Sequence, residues 1–264
     1  MARSNTRQPE KDPRQELELL ARDLDLTALA DHLGEILGRA EKETLSYTDF
    51  ALNLFRREMV TRQSRRLERG LKRSHLGTVE DLDGFDFSIR PNLEPRVIKE
   101  LCTCRFVEER RNILCLGKPG LGKTRIAKTI ARAACLAGYS VLFVNTAAML
   151  EELQGSLIDG TIKRTMRRFT KPRVIVCDEF GYETFDAKAT KFLFRFVSER
   201  HRTGSIILTA NTGFNNWKNF FPSEASAVST VDRLVDAATI LRFTGKSNRN
   251  PKEIHGAPIE ADGA

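Results

Sequence analysis

Gly117, Gly122, Lys123 and Thr124 stand at the spacing G-x-x-x-x-G-K-[ST], after an apolar run, Ile113 to Leu116, and before a helix-like continuation. Residues in that order make a cradle for a chain of phosphates. Backbone amides can wrap a β-phosphate closely only where no side chain intervenes, which is the use of Gly117, Gly120 and Gly122. The helix that opens near Lys123 adds its unpaired N–H groups and the positive end of its dipole to the same anion. Lys123 is expected to reach the β- and γ-phosphates of ATP, and the Thr124 hydroxyl to ligate Mg²⁺. Lys118, Pro119, Leu121 and Arg125 fill out the loop and its exit, so the expected nucleotide contacts run from Gly117 to Arg125.

A second apolar run begins at Val174 and ends in Asp178-Glu179. Asp178 is expected to hold Mg²⁺ through its water shell, and Glu179 to polarise an attacking water. Standing alone, an acidic pair after a strand serves equally well as a helix cap; downstream of a phosphate loop it reads as catalytic. Another strand, Ser140 to Asn145, lies between the two runs. That layout belongs to the additional-strand catalytic-Glu NTPases, in which a fourth strand inserts between the first and the acidic one. Asn211 follows the fourth strand and is placed to orient the water.

These residues need a sheet to hold them. Five apolar segments, Ile113–Leu116, Ser140–Asn145, Val174–Asp178, Ser205–Thr209 and Thr239–Phe243, alternate with helical patterns. Near-continuous apolar strands of this kind imply a parallel sheet buried on both faces. The expected fold is an α/β P-loop NTPase with a five-stranded parallel sheet and helices on both sides, spanning residues 96 to 250. A single helix from about Pro95 to Glu109 should lead into it.

Before the sheet the pattern is helical. Leucines recur at three- and four-residue steps from Leu17 to Leu37, and Ser46 is placed to cap a third helix with Leu52, Phe55 and Met59 as its apolar stripe. A small all-α domain is expected over 14 to 78, after a disordered tail at 1 to 13. An irregular connector should follow over 79 to 95, with a C-terminal tail at 251 to 264. Residues 56 to 73 hold eight Lys or Arg against two Glu. Arg62, Arg65, Arg66, Arg69 and Arg73 share one helical face, a stripe suited to the phosphates of double-stranded DNA. The whole chain carries +8, which favours a polyanionic partner if the excess is clustered. A second cluster, Lys163 to Arg173, has six bases and no acid, and suits either DNA or an acidic neighbouring subunit.

No run of eighteen apolar residues occurs, and the start lacks the apolar stretch of a secretion signal. A cytoplasmic protein with no membrane contact is expected. Five cysteines, mostly inside apolar patterns, read as reduced buried thiols, and Cys102-x-Cys104 lacks the partners of a zinc site.

From about Gln15 to Asn250 the chain resembles the IstB-type transposition helper ATPases, relatives of the DnaC helicase loaders within the AAA+ group. The resemblance rests on Gly117 to Thr124, Asp178-Glu179-Phe180-Gly181, Thr209-Ala210-Asn211, Phe214 to Trp217, Asp232-Arg233-Leu234 and Gly245 to Arg249. It implies that Arg233 is an arginine finger acting on ATP in a neighbouring subunit, and that Arg249 is a second sensor touching the γ-phosphate. It also implies an ATP-dependent oligomer on DNA, a transposase as partner, and no C-terminal lid. This chain departs from the family pattern at Leu121, where Thr is usual, and at Asn248, where Tyr is usual. A DnaC-type replicative helicase loader is the alternative, and a nucleotide-gated scaffold without hydrolysis a further one.

Overall fold

Three helices come first in the structure, a computed structural model of the chain that describes residues 12–245 and 247. They are α1 (Pro13–Asp23), α2 (Thr27–Glu43) and α3 (Tyr47–Ser74). Asp12 opens α1 by accepting the Arg14 amide at 3.0 Å, with Pro13 in the first turn, where its missing N–H is no loss. Ser46 opens α3: its hydroxyl accepts the Asp49 amide at 3.1 Å. Leu26, at the head of α2, has no side-chain acceptor to offer. Glu58 of α3 takes over the task, accepting the Leu29 amide at 3.1 Å while Arg62 donates to its other oxygen at 2.7 Å. Burial alone would raise the Glu58 carboxyl, but the Arg62 guanidinium and the α2 amides outweigh it and hold it below its ordinary value.

The chain divides into two units between Arg69 and Gly70, within α3, whereas the sequence placed the boundary after 78. Residues 79–95, expected as a connector, fall in the second unit. The first unit's core is small: Ala21, Leu29, Ala30 and Leu33. Leu52, Phe55 and Met59 do not join it. They are 43%, 60% and 70% exposed, because α3 meets this core through Leu54. The expected tail over 1–13 falls almost wholly outside the described residues; so does the C-terminal tail, and with it the question of a lid.

The second unit is organised by strand alternation, which sends successive side chains to opposite faces. Its strands are β1 (Ile113–Gly117), β2 (Val141–Asn145), β3 (Val174–Phe180), β4 (Ser205–Ala210) and β5 (Thr239–Phe243). All pairs are parallel and the order is β2-β3-β4-β1-β5, with β4 inserted between the phosphate-loop strand and the acidic one as expected. Ile113 and Cys115 enter one core, shared with α4 (Pro95–Leu101), α5 (Arg105–Glu108) and α6 (Lys123–Leu136). Leu114 and Leu116 enter the other, shared with α7 (Thr146–Ile158), α8 (Ile162–Thr170), α9 (Ala187–Arg200) and α10 (Glu224–Val235).

The expected single helix over 95–109 is broken. Cys104 takes a left-handed φ of 66° between α4 and α5. Leu101, Phe106 and Val107 are all buried in one core, and a continuous helix would aim them around more than half its circumference. The break turns them the same way. Elsewhere a fully buried guanidinium, that of Arg200, donates to the carbonyls of Phe169, Thr170, Pro172, Arg173 and Ser205 at 2.8–3.3 Å. Burial pushes its pKa down to about 10, so it stays charged at neutral pH and ties the α8–β3 loop to the start of β4.

Candidate functional site

The turn from β1 to α6 lies at the C-terminal edge of the sheet, where ligands of open α/β sheets bind. It requires glycine for reasons the coordinates make concrete. A Cβ on Gly117 would stand 2.2 Å from the Phe243 carbonyl oxygen. Gly122 has φ 89°, and a Cβ there would stand 2.6 Å from the Phe85 ring. Beyond it a cleft of 370 Å³ is lined by Gly120, Gly122, Lys123, Thr124, Glu179, Thr209 and Asn211, among others. Lys123 is 6% exposed, and its ammonium donates to the Lys118 carbonyl at 2.8 Å. The cation is thus already held inside the loop.

Regular pleating would turn Asp178 and Glu179 to opposite faces of the sheet. Pairing of β3 with β4 is irregular between Cys177 and Phe180, and Glu179 takes a left-handed φ of 57°. The kink lets both acids serve one cleft. Asp178 Oδ1 accepts from the Thr124 hydroxyl at 2.9 Å and from the Thr209 hydroxyl at 2.6 Å, while Glu179 lines the cleft wall. A left-handed non-glycine residue costs about 1–2 kcal/mol and persists where its surroundings over-determine it. Here the Glu179 amide donates to Thr209 Oγ1 at 3.0 Å and the carboxylate accepts from Asn145 Nδ2 at 2.7 Å.

Asn145 and Thr209 are the site residues that sequence reasoning missed as actors. Both stand at or near the C-terminal ends of strands flanking the acidic pair, which was the available signal. Asn145 has two tasks, since its Oδ1 also caps α7 by accepting the Ala147 and Ala148 amides at 3.0 and 3.3 Å. Asparagine and aspartate cap equally well, but only asparagine can donate to Glu179. Asn145→Ala should therefore cost about 1 kcal/mol, lowering the melting midpoint by roughly 2–4 °C. Asn145→Ser should melt above the alanine variant because it keeps a capping oxygen without setting a second carboxylate against Glu179; parallel thermal melts check the order.

Asn211 lines the cleft just past β4. The 3₁₀ segment that follows, Phe214–Phe220, anchors it: Trp217 is buried, lies 4.7 Å from the Phe180 ring, and donates its indole N–H to the Thr212 carbonyl at 3.2 Å. Arg125 also lines the cleft, where it donates to the Asp81 carbonyl at 2.7 Å and pairs at 2.7 Å with Glu80, another residue of the lining. Leu121 is buried beneath the loop.

Arg233 is not among the residues lining the cleft. It stands on α10, its guanidinium 4.7 Å from the Phe194 ring and donating to the Ser229 carbonyl at 2.8 Å. Arg249 lies outside the described residues. Of the arginine stripe, Arg62 donates to the Asp25 carbonyl at 2.9 Å as well as to Glu58, and Arg65 donates to the Thr27 hydroxyl. Arg66, Arg69 and Arg73 are exposed on α3.

Among the described residues no three His, Cys, Asp or Glu gather as a metal group. The oxygens of Thr124 and Asp178 do converge, and such a hard pair fits Mg²⁺, which keeps several waters and takes further ligands from phosphate. Thiol chemistry has no place beside them. Burial pushes the Cys115 and Cys177 thiols up to about 12, so both stay neutral.

Residues 19–255 match the family described as IstB-like ATP binding protein. The insertion sequence IS21 putative ATP-binding protein of Pseudomonas aeruginosa is 33% identical over 234 residues, 89% of this chain and 88% of that relative. The insertion sequence IS5376 putative ATP-binding protein of Geobacillus stearothermophilus is 32% identical over 226 residues, 86% and 90% of the two chains. Among solved structures the fold is similar to that of DnaI, with a TM-score of 0.52 at 22% identity over 64% of this chain and 92% of that one. It is also similar to AMPPCP-bound DnaA from Aquifex aeolicus, with a TM-score of 0.54 at 16% identity over 64% and 51%.

Proposed function

The chain belongs to the IstB-like ATP-binding protein family, and from that membership we propose that it is a cytoplasmic, Mg²⁺-dependent ATPase that assembles on double-stranded DNA and recruits and stimulates a transposase. The observation that carries the catalytic part is the convergence of four residues at one cleft. The Thr124 hydroxyl meets the Asp178 carboxylate at 2.9 Å, and Glu179 and Asn211 line the same wall. In this reading the amides from Gly117 to Thr124, with Lys123, grip the β- and γ-phosphates. Thr124 and Asp178 hold Mg²⁺, which when bound offsets negative charge on the phosphates. Glu179 accepts a proton from the attacking water and Asn211 fixes that water's orientation.

Arg233, by resemblance to the family, is proposed to act on ATP in a neighbouring subunit, and its place on α10 outside its own cleft is compatible with that role. ATP occupancy thereby favours assembly, and hydrolysis releases it. Arg249 is proposed as a second sensor. The insertion-sequence context of the relatives supports a transposase as partner rather than a replicative helicase.

For DNA, the α3 stripe and the α8 face are each proposed as a phosphate-contacting surface. Thr165, Met166 and Phe169 bury one side of α8, while Lys163, Arg164, Arg167 and Lys171 lie exposed on the other. Arg168 is paired with Glu152, but those four have no side-chain partner among the described residues. Duplex affinity should fall about 10³-fold or more between 50 and 200 mM salt. Charge removal at Arg66, Arg69, Lys163 or Arg167 should lower the salt slope by about 1 each. The decisive experiment measures ATP turnover and particle size with and without duplex DNA. ATP-independent size, or turnover that ignores DNA, would remove the proposal's basis.

A further inference from the structure

Arg90 is 1% exposed and packs against the phosphate loop at Leu121. Its Nε donates to the Leu121 carbonyl at 3.0 Å and its Nη1 to the Ile89 carbonyl at 3.0 Å. The turn after β5 presses on the same place. A Cβ on Gly245 would stand 2.1 Å from the Ile89 oxygen and 3.3 Å from Arg90 Nη1, so the guanidinium has no slack on that side. A buried, always-charged group costs free energy to place, and the Nε of this one is committed to a peptide unit of the loop.

That peptide unit joins Leu121 to Gly122. No cis peptide occurs among the described residues, so its C=O and N–H point in opposite directions within one plane. Drawing the Leu121 oxygen toward Arg90 therefore drives the Gly122 N–H the other way, toward the cleft that Gly122, Lys123 and Thr124 line. Phe85 braces Gly122 from behind, with its ring where a Cβ would be. Rotation of the unit would take the Leu121 carbonyl away from Arg90 Nε.

We propose that Arg90 is a positioning residue for triphosphate binding: by fixing the Leu121 carbonyl, it aims the Gly122 amide at the phosphate. The proposal rests on reading this cleft as the nucleotide site. Lysine cannot substitute, because an ammonium lacks the planar fork that reaches the Leu121 and Ile89 oxygens together.

Titration calorimetry with ADP tests it on the full chain. Arg90→Lys should weaken ADP about tenfold, the worth of one charge-assisted hydrogen bond, with its melting midpoint near that of the parent. Arg90→Ala should weaken it further and recover part of the loss in millimolar guanidinium, a rescue that general destabilisation would not give. A folded Arg90→Lys that binds ADP like the parent overturns the proposal. If neither variant folds, ¹⁵N-glycine NMR of the parent decides: the Gly122 amide should shift downfield with inorganic tripolyphosphate, and an unmoved signal overturns the assignment. Lys123→Ala separates the two levels. Loss of ADP binding in that variant with normal binding in Arg90→Lys defeats only the role of Arg90, whereas a parent protein that ignores ADP defeats the reading of the cleft.

Discussion

Glu179→Gln should lower ATP turnover by about 10²- to 10⁴-fold, the usual worth of a positioned general base, while ATP binding stays close to that of the parent. The substitution is nearly isosteric. The backbone contact that supports the left-handed residue, its amide to Thr209 Oγ1, does not depend on the side chain. The Asn145 tether changes character, since the glutamine oxygen can still accept from Asn145 Nδ2 but with no charge. What is lost is a carboxylate able to take a proton in the cleft. Binding survives because Glu179 makes none of the loop contacts attributed to the phosphates. Single-turnover hydrolysis beside equilibrium ATP binding gives both quantities, and substantial turnover in the variant would move the base elsewhere. On the proposed cycle the same variant should also stay assembled on DNA once ATP is bound.

Lys123→Ala should weaken ATP binding about 100-fold or more, as expected when a buried ammonium is taken from two phosphates. The loop holds this cation in place before any phosphate arrives, on the Lys118 carbonyl, so the parent has little reordering to do. The readout can be thermal. At ATP near 100 times its Kd the parent should gain about 2.7 kcal/mol of stability through mass action, and the variant should gain almost none at the same concentration. Equal melting shifts in the two proteins would show that nucleotide binds without this loop.

The parts of the site that could be read from sequence are those fixed by local spacing. The phosphate loop carries its own geometry in its glycines, and the acidic pair closes an apolar run that could only be a buried strand. Insertion of β4 between β1 and β3 followed from counting strands between those two motifs. What escaped depended on residues far apart in the chain. Asn145 acts on Glu179, and Thr209 joins Asp178 to the Glu179 amide, only because β2 and β4 flank β3. Arg62 and Arg65 looked like a free stripe because their acceptors, Asp25 and Thr27, lie 37 and 38 residues back in the chain. The stripe of Leu52, Phe55 and Met59 revealed a helix but not its buried side, which Leu54 and Glu58 determine. The break at Cys104 has no glycine or proline to announce it; the demand that Leu101, Phe106 and Val107 share a core imposes it.

Trp217 is the chain's single tryptophan. Its ring rests on Phe180, which directly follows Glu179, and its N–H holds the carbonyl directly after Asn211. The molecule therefore carries a built-in optical reporter at the junction of the strand ends that carry Glu179 and Asn211. Emission excited near 295 nm comes from that one indole, with no background from a second, so rearrangements there are visible in unlabelled protein.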